Sequence, residues 1–359
     1  MNAKNNLEAF ALKDINELET VGSTDKVNVL VEAGRMEGYD ASNGDWRGTR
    51  RYLVKKDGDT AVIGSTLLED IGKTDMGDPG NIAAFGRWGK SRYPAKRYLF
   101  IVWNHGTGWV KTRGISYDDE TGNHVNIPQL ARALRDIGGV DLYASDACLM
   151  QMAEVAYEIR DQAAYIVGSE ETEPTDGHDY AAILSELAAD PEMGPERLGE
   201  ILVDSYAAQY ERVGRGSTHS LVRASALGGL AAAMREFTAA AMRSGDKDVL
   251  LKARGSAQAY SRRENKDLYD LARRTAEASS NSELRAAARS LMEKLKGEVI
   301  VLSRFTNSDG GSWWLPTHYD DSSGLAVYLP ARAADNGYEE LRWAADSGWL
   351  EFLSWLASP

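Results

Sequence analysis

At 359 residues, 43% hydrophobic and 26% charged, the chain has ample material for one large domain or two modest ones, and wholesale disorder is excluded. A single cysteine rules out an internal disulfide framework and a cysteine-rich zinc site, and no run approaches the ~18 uncharged apolar residues of a membrane-spanning helix. A net charge of -13 disfavours a nucleic-acid partner and favours cationic substrates.

The opening MNAKNNLEAFALKDINELE lacks a continuous apolar stretch and a small-residue cleavage site, so it is not a secretory signal. Leu7, Ala11, Ile15 and Leu18 recur at helical spacing and predict an amphipathic helix of about 15 residues from Asn5. VNVLVEA (27–33) reads as a buried strand, and RYLVKKDGDTAVIG (51–64) as two strands joined at an Asp57-Gly58 turn. Asp78-Pro79 provides a cap and a first helical residue for a helix over 79–91. RYLFIVWNHGTGW (97–109) is a strand that runs into a glycine-flanked loop, and NIPQLARALRDIGG (126–139) is a helix closed by glycine. VDLYASDACLM (140–150) is the next strand, followed by a helix through Ile159, and AYIVGSEE (164–171) repeats the strand-then-polar-loop pattern. Beyond it, 189–215 and 226–296 are Ala-rich and helical in period, while THSLVRAS (218–225) and GLAVYLP (324–330) are strand candidates.

Strands alternating with helices over 1–185 predict an α/β fold with a mostly parallel sheet covered on both faces. The expected division is a core over 1–185, with 186–359 adding helices and the remaining strands of the same sheet in one continuous unit. In such sheets ligands meet the loops at the carboxyl ends of the strands, and three such loops carry reactive side chains.

The first holds His105, bracketed by small residues in Asn104-His105-Gly106-Thr107-Gly108, where Gly106 leaves a backbone N–H open to a ligand. The second holds Cys148 in Ser145-Asp146-Ala147-Cys148, placed to open a helix whose N-terminus would favour the thiolate. A histidine at one strand end and a cysteine at the next suffice as base and nucleophile without a third acid. Asp146, two residues before the cysteine, would disfavour a thiolate unless a cation sits there, and a substrate Lys or Arg is the natural one. The third loop, 168–180, is acidic; Glu170, Glu171 and Glu173 read as a solvated charge run. A metal-dependent hydrolase built on His178-Asp179 with His105 or His124 is a weak competitor, since a His-Asp dipeptide carries little specificity.

NHGTGW at 104–109 and SDACLMQMAEVAYEI at 145–159 closely resemble the clostripain-like cysteine peptidases, relatives of caspases, legumains and gingipains. The likeness extends to the opening NAKNNLE segment, the YDD at 117–119, the EPTDGHDY loop and SSGLAVYLP at 322–330, and so spans most of the chain. It implies a caspase-like α/β/α sandwich with a helical C-terminal elaboration, and a bacterial endopeptidase acting on polypeptides after Arg or Lys. His105 would be general base and acid, Cys148 the nucleophile, and the backbone N–H groups of Gly106 and Cys148 the oxyanion site. Asp146 matches the family's pocket aspartate, with Asp176, or alternatively Asp179, as a second acidic pocket residue. Family members often cleave themselves between histidine and cysteine, where Lys111 and Arg113 stand. No cofactor is required; some relatives use calcium, for which Asp118-Asp119-Glu120 offers oxygen ligands, although a solvated turn is the plainer reading. The family implies a secreted or periplasmic protein. Its NAKNNLE-like segment normally follows an apolar strand, so either the given start lies downstream of the true one or the sheet lacks an internal strand. The reading set against catalysis is a silent caspase-like module that holds basic peptides in an acidic groove.

Overall fold

The computed structural model describes residues 1–310 and 316–358. Its strands are β1 (Leu30–Arg35), β2 (Gly48–Leu53), β3 (Thr66–Gly72), β4 (Leu99–Trp103), β5 (Ile115–Asp118), β6 (Asn123–Val125), β7 (Val140–Asp146), β8 (Ala163–Gly168), β9 (Ser217–Arg223), β10 (Asn265–Asp267), β11 (Ile300–Thr306) and β12 (Ala326–Tyr328). Its helices are α1 (Glu8–Glu19), α2 (Pro79–Arg92), α3 (Ile127–Ile137), α4 (Ala153–Ile159), α5 (Tyr180–Ala189), α6 (Pro195–Arg212), α7 (Leu227–Ser244), α8 (Lys247–Ser256), α9 (Leu268–Ala278), α10 (Ser282–Lys294), α11 (Arg342–Asp346) and α12 (Trp349–Ala357).

The central sheet has the order β11-β9-β8-β7-β4. The β4, β7 and β8 strands pair in parallel, β9 opposes β8, and β11 opposes β9, so only β9 runs against the rest. Alternation along each strand sends side chains to two cores. Leu142 and Ala144 of β7 and Val167 of β8 pack with Leu198, Ile201 and Leu202 of α6. Tyr143 and Ile166 face the larger core built from α3, α4, α7, α9 and α10. This mixed α/β sandwich is the expected class. The predicted helix starts and stops hold where the capping chemistry is explicit: Asp78 accepts from Gly80 N–H ahead of α2, and Gly138, at φ 84°, ends α3.

Two local expectations need correction, and one strand was not anticipated. The Asp57-Gly58 pair does not close a tight hairpin; β2 and β3 lie outside it, and 54–65 form a long connection. That segment is tied to the end of α1, where Asp57 N–H donates to Glu19 O and Ser65 N–H to Glu19 Oε1, and tertiary bonds override the local turn signal. The segment 324–330 joins no central strand: β12 pairs with β10 instead. The edge strand β11, which closes the sheet beyond β9, carries no clean alternation and went unpredicted.

Met1–Ala3 lie between β1 and β4. Ala3 N–H donates to Gly34 O at 3.0 Å, Gly34 N–H to Met1 O at 3.1 Å, and Asn2 N–H to Trp103 O at 3.2 Å. Beside them a cleft of about 630 Å³, with Val29, Val31, Leu99 and Ile101 on its walls, separates β1 from β4. Neither His105 nor Cys148 lines this cleft, which belongs to the sheet and not to the chemistry.

Candidate active site

The parallel register fixes the site. Trp103, the last residue of β4, is paired with Asp146, the last of β7. His105 and Cys148 each follow two residues later, at equivalent positions on strands about 4.8 Å apart. The two loops then pack on each other. A Cβ on Gly106 would collide with the Cys148 carbonyl oxygen and lie 3.1 Å from Ala147 Cβ, so only glycine permits this approach. Leu149, directly after the cysteine, takes φ +63°, a left-handed conformation that costs a branched residue roughly 1 kcal/mol and turns the chain sharply. Leu149 N–H donates to Glu171 O at 3.0 Å, which holds that turn against the loop after β8.

His105 Nε2 lies 2.7 Å from Asn6 Oδ1. An amide oxygen only accepts, so Nε2 carries the proton and Nδ1 is left as the basic nitrogen. Asn6, just before α1, orients the ring, and its role was not readable from a polar residue in a run of asparagines. Burial holds the His105 pKa below its ordinary value, against a smaller upward pull from Asp119.

Cys148 does not open a helix: α4 begins only at Ala153, so no helix N-terminus acts on the thiol. Burial pushes the thiol pKa up, and the chief opposing contact is the Glu173 N–H, which donates to Sγ at 3.2 Å. The group rests as a thiol that must lose its proton during attack.

Asp146 is 5% exposed and accepts from Tyr180 O–H at 2.6 Å and His178 N–H at 3.4 Å. A Cβ on Gly177, itself at φ +58°, would stand 2.9 Å from both Asp146 carboxylate oxygens. Asp14 of α1 accepts from Trp103 Nε1–H at 2.8 Å, and its pKa is pushed up to about 9 by burial and then by the Asp146 charge. Glu173 is raised well above the usual carboxylate range by the same two causes in the same order. Burial likewise lowers His178, with Asp146 pulling the other way, and lowers His219, with His178 adding to the effect.

The loop after β8 is not a solvated charge run. Glu170 and Glu171 are 0% and 5% exposed and the Glu173 side chain 4%. Glu170 accepts from Tyr260 O–H at 2.7 Å, and Glu171 from Ser261 N–H at 2.8 Å, so these carboxylates fasten distant loops to the sheet. Composition alone could not show that the polar groups they serve would be buried beside them. Asp176 sits at the rim, its side chain 45% exposed and paired with Lys13 of α1. Asp179 caps α5 through Ala182 N–H and pairs with Arg212, which leaves Asp176 the freer of the two. Lys111 and Arg113 lie in the exposed turn between His105 and β5, with Lys111 paired to Glu340. His124 stacks on Tyr117 and contacts Lys111 O, and His178 is grouped with neither His105 nor His124. The carboxylate of Asp118 accepts from Met76, Glu120 and Thr121 N–H, and Glu120 pairs with Lys4 and Lys73.

Known proteins carry the same arrangement of chain. Clostripain of Hathewaya histolytica is 31% identical in an alignment 180 residues long that covers 44% of this chain and 34% of clostripain, so the match spans about a third of that relative. A secreted C11 cysteine protease of Bacteroides thetaiotaomicron, solved with an irreversible peptide inhibitor, superposes with a TM-score of 0.73 at 21% identity, covering 96% of each chain. An inactive zymogen C11 protease of Parabacteroides distasonis gives 0.71 at 20%, covering 96% of this chain and 94% of its own. At such identities the likeness is one of fold, the caspase-like fold of these proteases. The sequence model of the clostripain family, peptidase family C11, matches residues 1–355, and the chain belongs to that family.

Proposed function

We propose that this chain is a cysteine endopeptidase that cuts polypeptides after Arg or Lys, with His105 and Cys148 as its dyad. The observation that carries the reading is their equivalent placement two residues past the Trp103–Asp146 register pair. In this mechanism Cys148 Sγ attacks the scissile carbonyl carbon as its proton passes to His105 Nδ1. The oxyanion accepts from the N–H groups of Gly106 and Cys148. His105 then protonates the leaving amine, a thioester remains on Cys148, and water activated by His105 releases the acid. A thiol raised by burial and an imidazole lowered by it suit such a concerted transfer better than a resting ion pair. Asp146, buried and without a Lys or Arg ion pair among the described residues, receives the substrate's cationic side chain, with Asp176 at the rim. No cofactor enters this chemistry.

Three fluorogenic peptides ending in Arg, Lys or Asp test the reading, under reductant, with and without calcium, beside Cys148→Ala. Cleavage of the Arg or Lys peptide that vanishes in the variant is expected. Cleavage after Asp would keep the dyad and refute the pocket. Silence on all three, with binding of basic peptides retained, would leave a peptide-binding module. Lys111 and Arg113 are the proposed self-cleavage positions, and a cut there in the parent but not in Cys148→Ala would appear directly in the intact mass.

A further inference from the structure

Beside the thiol lies a buried group of side chains that this chemistry does not use. The β9 strand runs antiparallel to β8 with Ser220 opposite Gly168, so His219 stands beside the loop that leaves β8. There it meets Glu173 and His178, and one ligand atom from each of the three lies within 4.8 Å of the others. His219 Nδ1 is 3.9 Å from Glu173 Oε1, and the two imidazoles meet edge to face with centroids 4.9 Å apart. His178 and His219 are 0% and 1% exposed. Both ring nitrogens of His178 lack a hydrogen-bond partner, and those of His219 and the carboxylate oxygens of Glu173 have none of good geometry, although Glu173 lies against the Asp146 carboxyl and the Ala147 N–H and His219 against the Thr218 backbone.

Buried polar atoms in folded proteins are almost always satisfied, so an unpartnered His178 converging with a poorly satisfied His219 and Glu173 calls for a partner outside the polypeptide. The chemistry of the donors narrows it. Two imidazoles and a carboxylate suit zinc and its first-row neighbours, whereas calcium and magnesium prefer all-oxygen sets. Two zinc bonds of ordinary length at a tetrahedral angle set ligand atoms roughly 3.4 Å apart. The Glu173–His219 separation of 3.9 Å therefore needs to close by about half an ångström, and the widest separation in the group, at most 4.8 Å, by up to about 1.4 Å, so side chains of the group rotate on binding. Charge points the same way. A divalent ion would also let Glu173 ionise beside Asp146, which no Lys or Arg pairs with among the described residues. The rings are also held: Tyr206 stacks on His219 at 4.2 Å and meets His178 edge-on at 5.6 Å.

We propose that Glu173, His178 and His219 bind one divalent transition-metal ion, with zinc the best fit, that clamps the loop after β8 to β9. These are positioning residues. The loop they fix donates Glu173 N–H to Cys148 Sγ and packs Gly177 and His178 on Asp146, so the ion would set the wall of the proposed pocket.

The test uses full-length Cys148→Ala, which removes both a competing sulfur ligand and self-cleavage, stripped with a chelator and titrated with Zn²⁺ and with Co²⁺. One equivalent of zinc by calorimetry, visible d–d absorption from cobalt and a zinc-dependent rise in Tm are expected. Glu173→Gln, which keeps the side chain's shape, and His219→Leu should each weaken binding at least 100-fold and abolish both the cobalt spectrum and the Tm rise. If His219→Leu fails to fold, Glu173→Gln decides alone. No uptake of either ion at 100 μM, or uptake undiminished in Glu173→Gln, would overturn the site. None of these readouts requires turnover, so a failed peptidase assay and a failed metal titration remain distinguishable.

Discussion

Two acidic clusters in this protein have opposite electrostatics. Around Asp118 and Glu120 the chain supplies its own cations. Lys4 is 0% exposed, with its Nζ 3.6 Å from Asp118 Oδ2 and 2.8 Å from Glu120 Oε2, and Lys73 adds a second contact to Glu120 at 2.8 Å. Glu120 is accordingly held below the usual carboxylate range by its hydrogen bonds to Lys4 and Lys73. Around Asp146 no lysine or arginine among the described residues pairs with Asp14, Asp146 or Glu173, and the pKa values of Asp14 and Glu173 are driven upward. A carboxyl group rises on burial and falls beside a cation, and in these two clusters the shifts run in those opposite directions. The first is a finished joint between the N-terminal segment and the loop after β5. The second is short of positive charge, as a receptor for an outside cation should be.

The largest effect expected from this contrast is on catalysis. Asp146→Asn keeps an oxygen for the Tyr180 O–H but leaves the substrate's cation unpaired in a buried site. Removing one partner of a buried pair costs about 3–5 kcal/mol. We expect kcat/KM for Arg and Lys peptides to fall on the order of 10²–10³-fold. Asp176→Asn should cost only a few-fold, because its carboxylate is 45% exposed and already paired with Lys13. Equal losses in the two variants would move the pocket charge to the rim and break the comparison.

The complete cluster is probed through stability. Lys4→Met fills similar volume but strands Asp118, whose side chain is 0% exposed, without its cation. A loss of about 3 kcal/mol in unfolding free energy follows, read as a lower denaturant midpoint at unchanged slope. If the loss were under about 1 kcal/mol, Lys4 would be worth no more than a surface partner.

What could be read from sequence divides along the same line. Strand ends, glycines and caps act locally, so the loops bearing His105 and Cys148, the Asp78 cap and the glycine stop at Gly138 were legible from residue type and spacing. The partners of charged groups are not local. Nothing in Glu170-Glu171-Thr172-Glu173 announces that Glu170 will meet Tyr260, 90 positions away, or that Glu173 will face His219. Asn6 was missed for the same reason, since its contact with His105 spans 99 positions. The helix expected at Cys148 failed differently: a helix through Ile159 is present, but a turn through Leu149 delays its start to Ala153.

The smallest effect sharpens the comparison most, because it tests the missing charge without substrate. Asp14 titrates near 3.8 in an unfolded chain and at about 9 when folded, with burial the larger cause and Asp146 the second. Between those values the native state holds a proton that the unfolded state has released, so unfolding free energy falls as pH rises, and the contribution is complete only below the unfolded pKa. Asp14→Asn preserves an acceptor for Trp103 Nε1–H and cannot ionise. The variant should therefore gain stability relative to the parent as pH rises, by about 2.5 kcal/mol between pH 6 and pH 8, since each pH unit between the two values is worth about 1.36 kcal/mol. Denaturant titrations at the two pH values read this difference directly. A parent and variant that track each other would mean that Asp14 is already ionised at pH 6. The cluster would then have found a cation of its own, and its likeness to the Lys4 joint would replace the contrast.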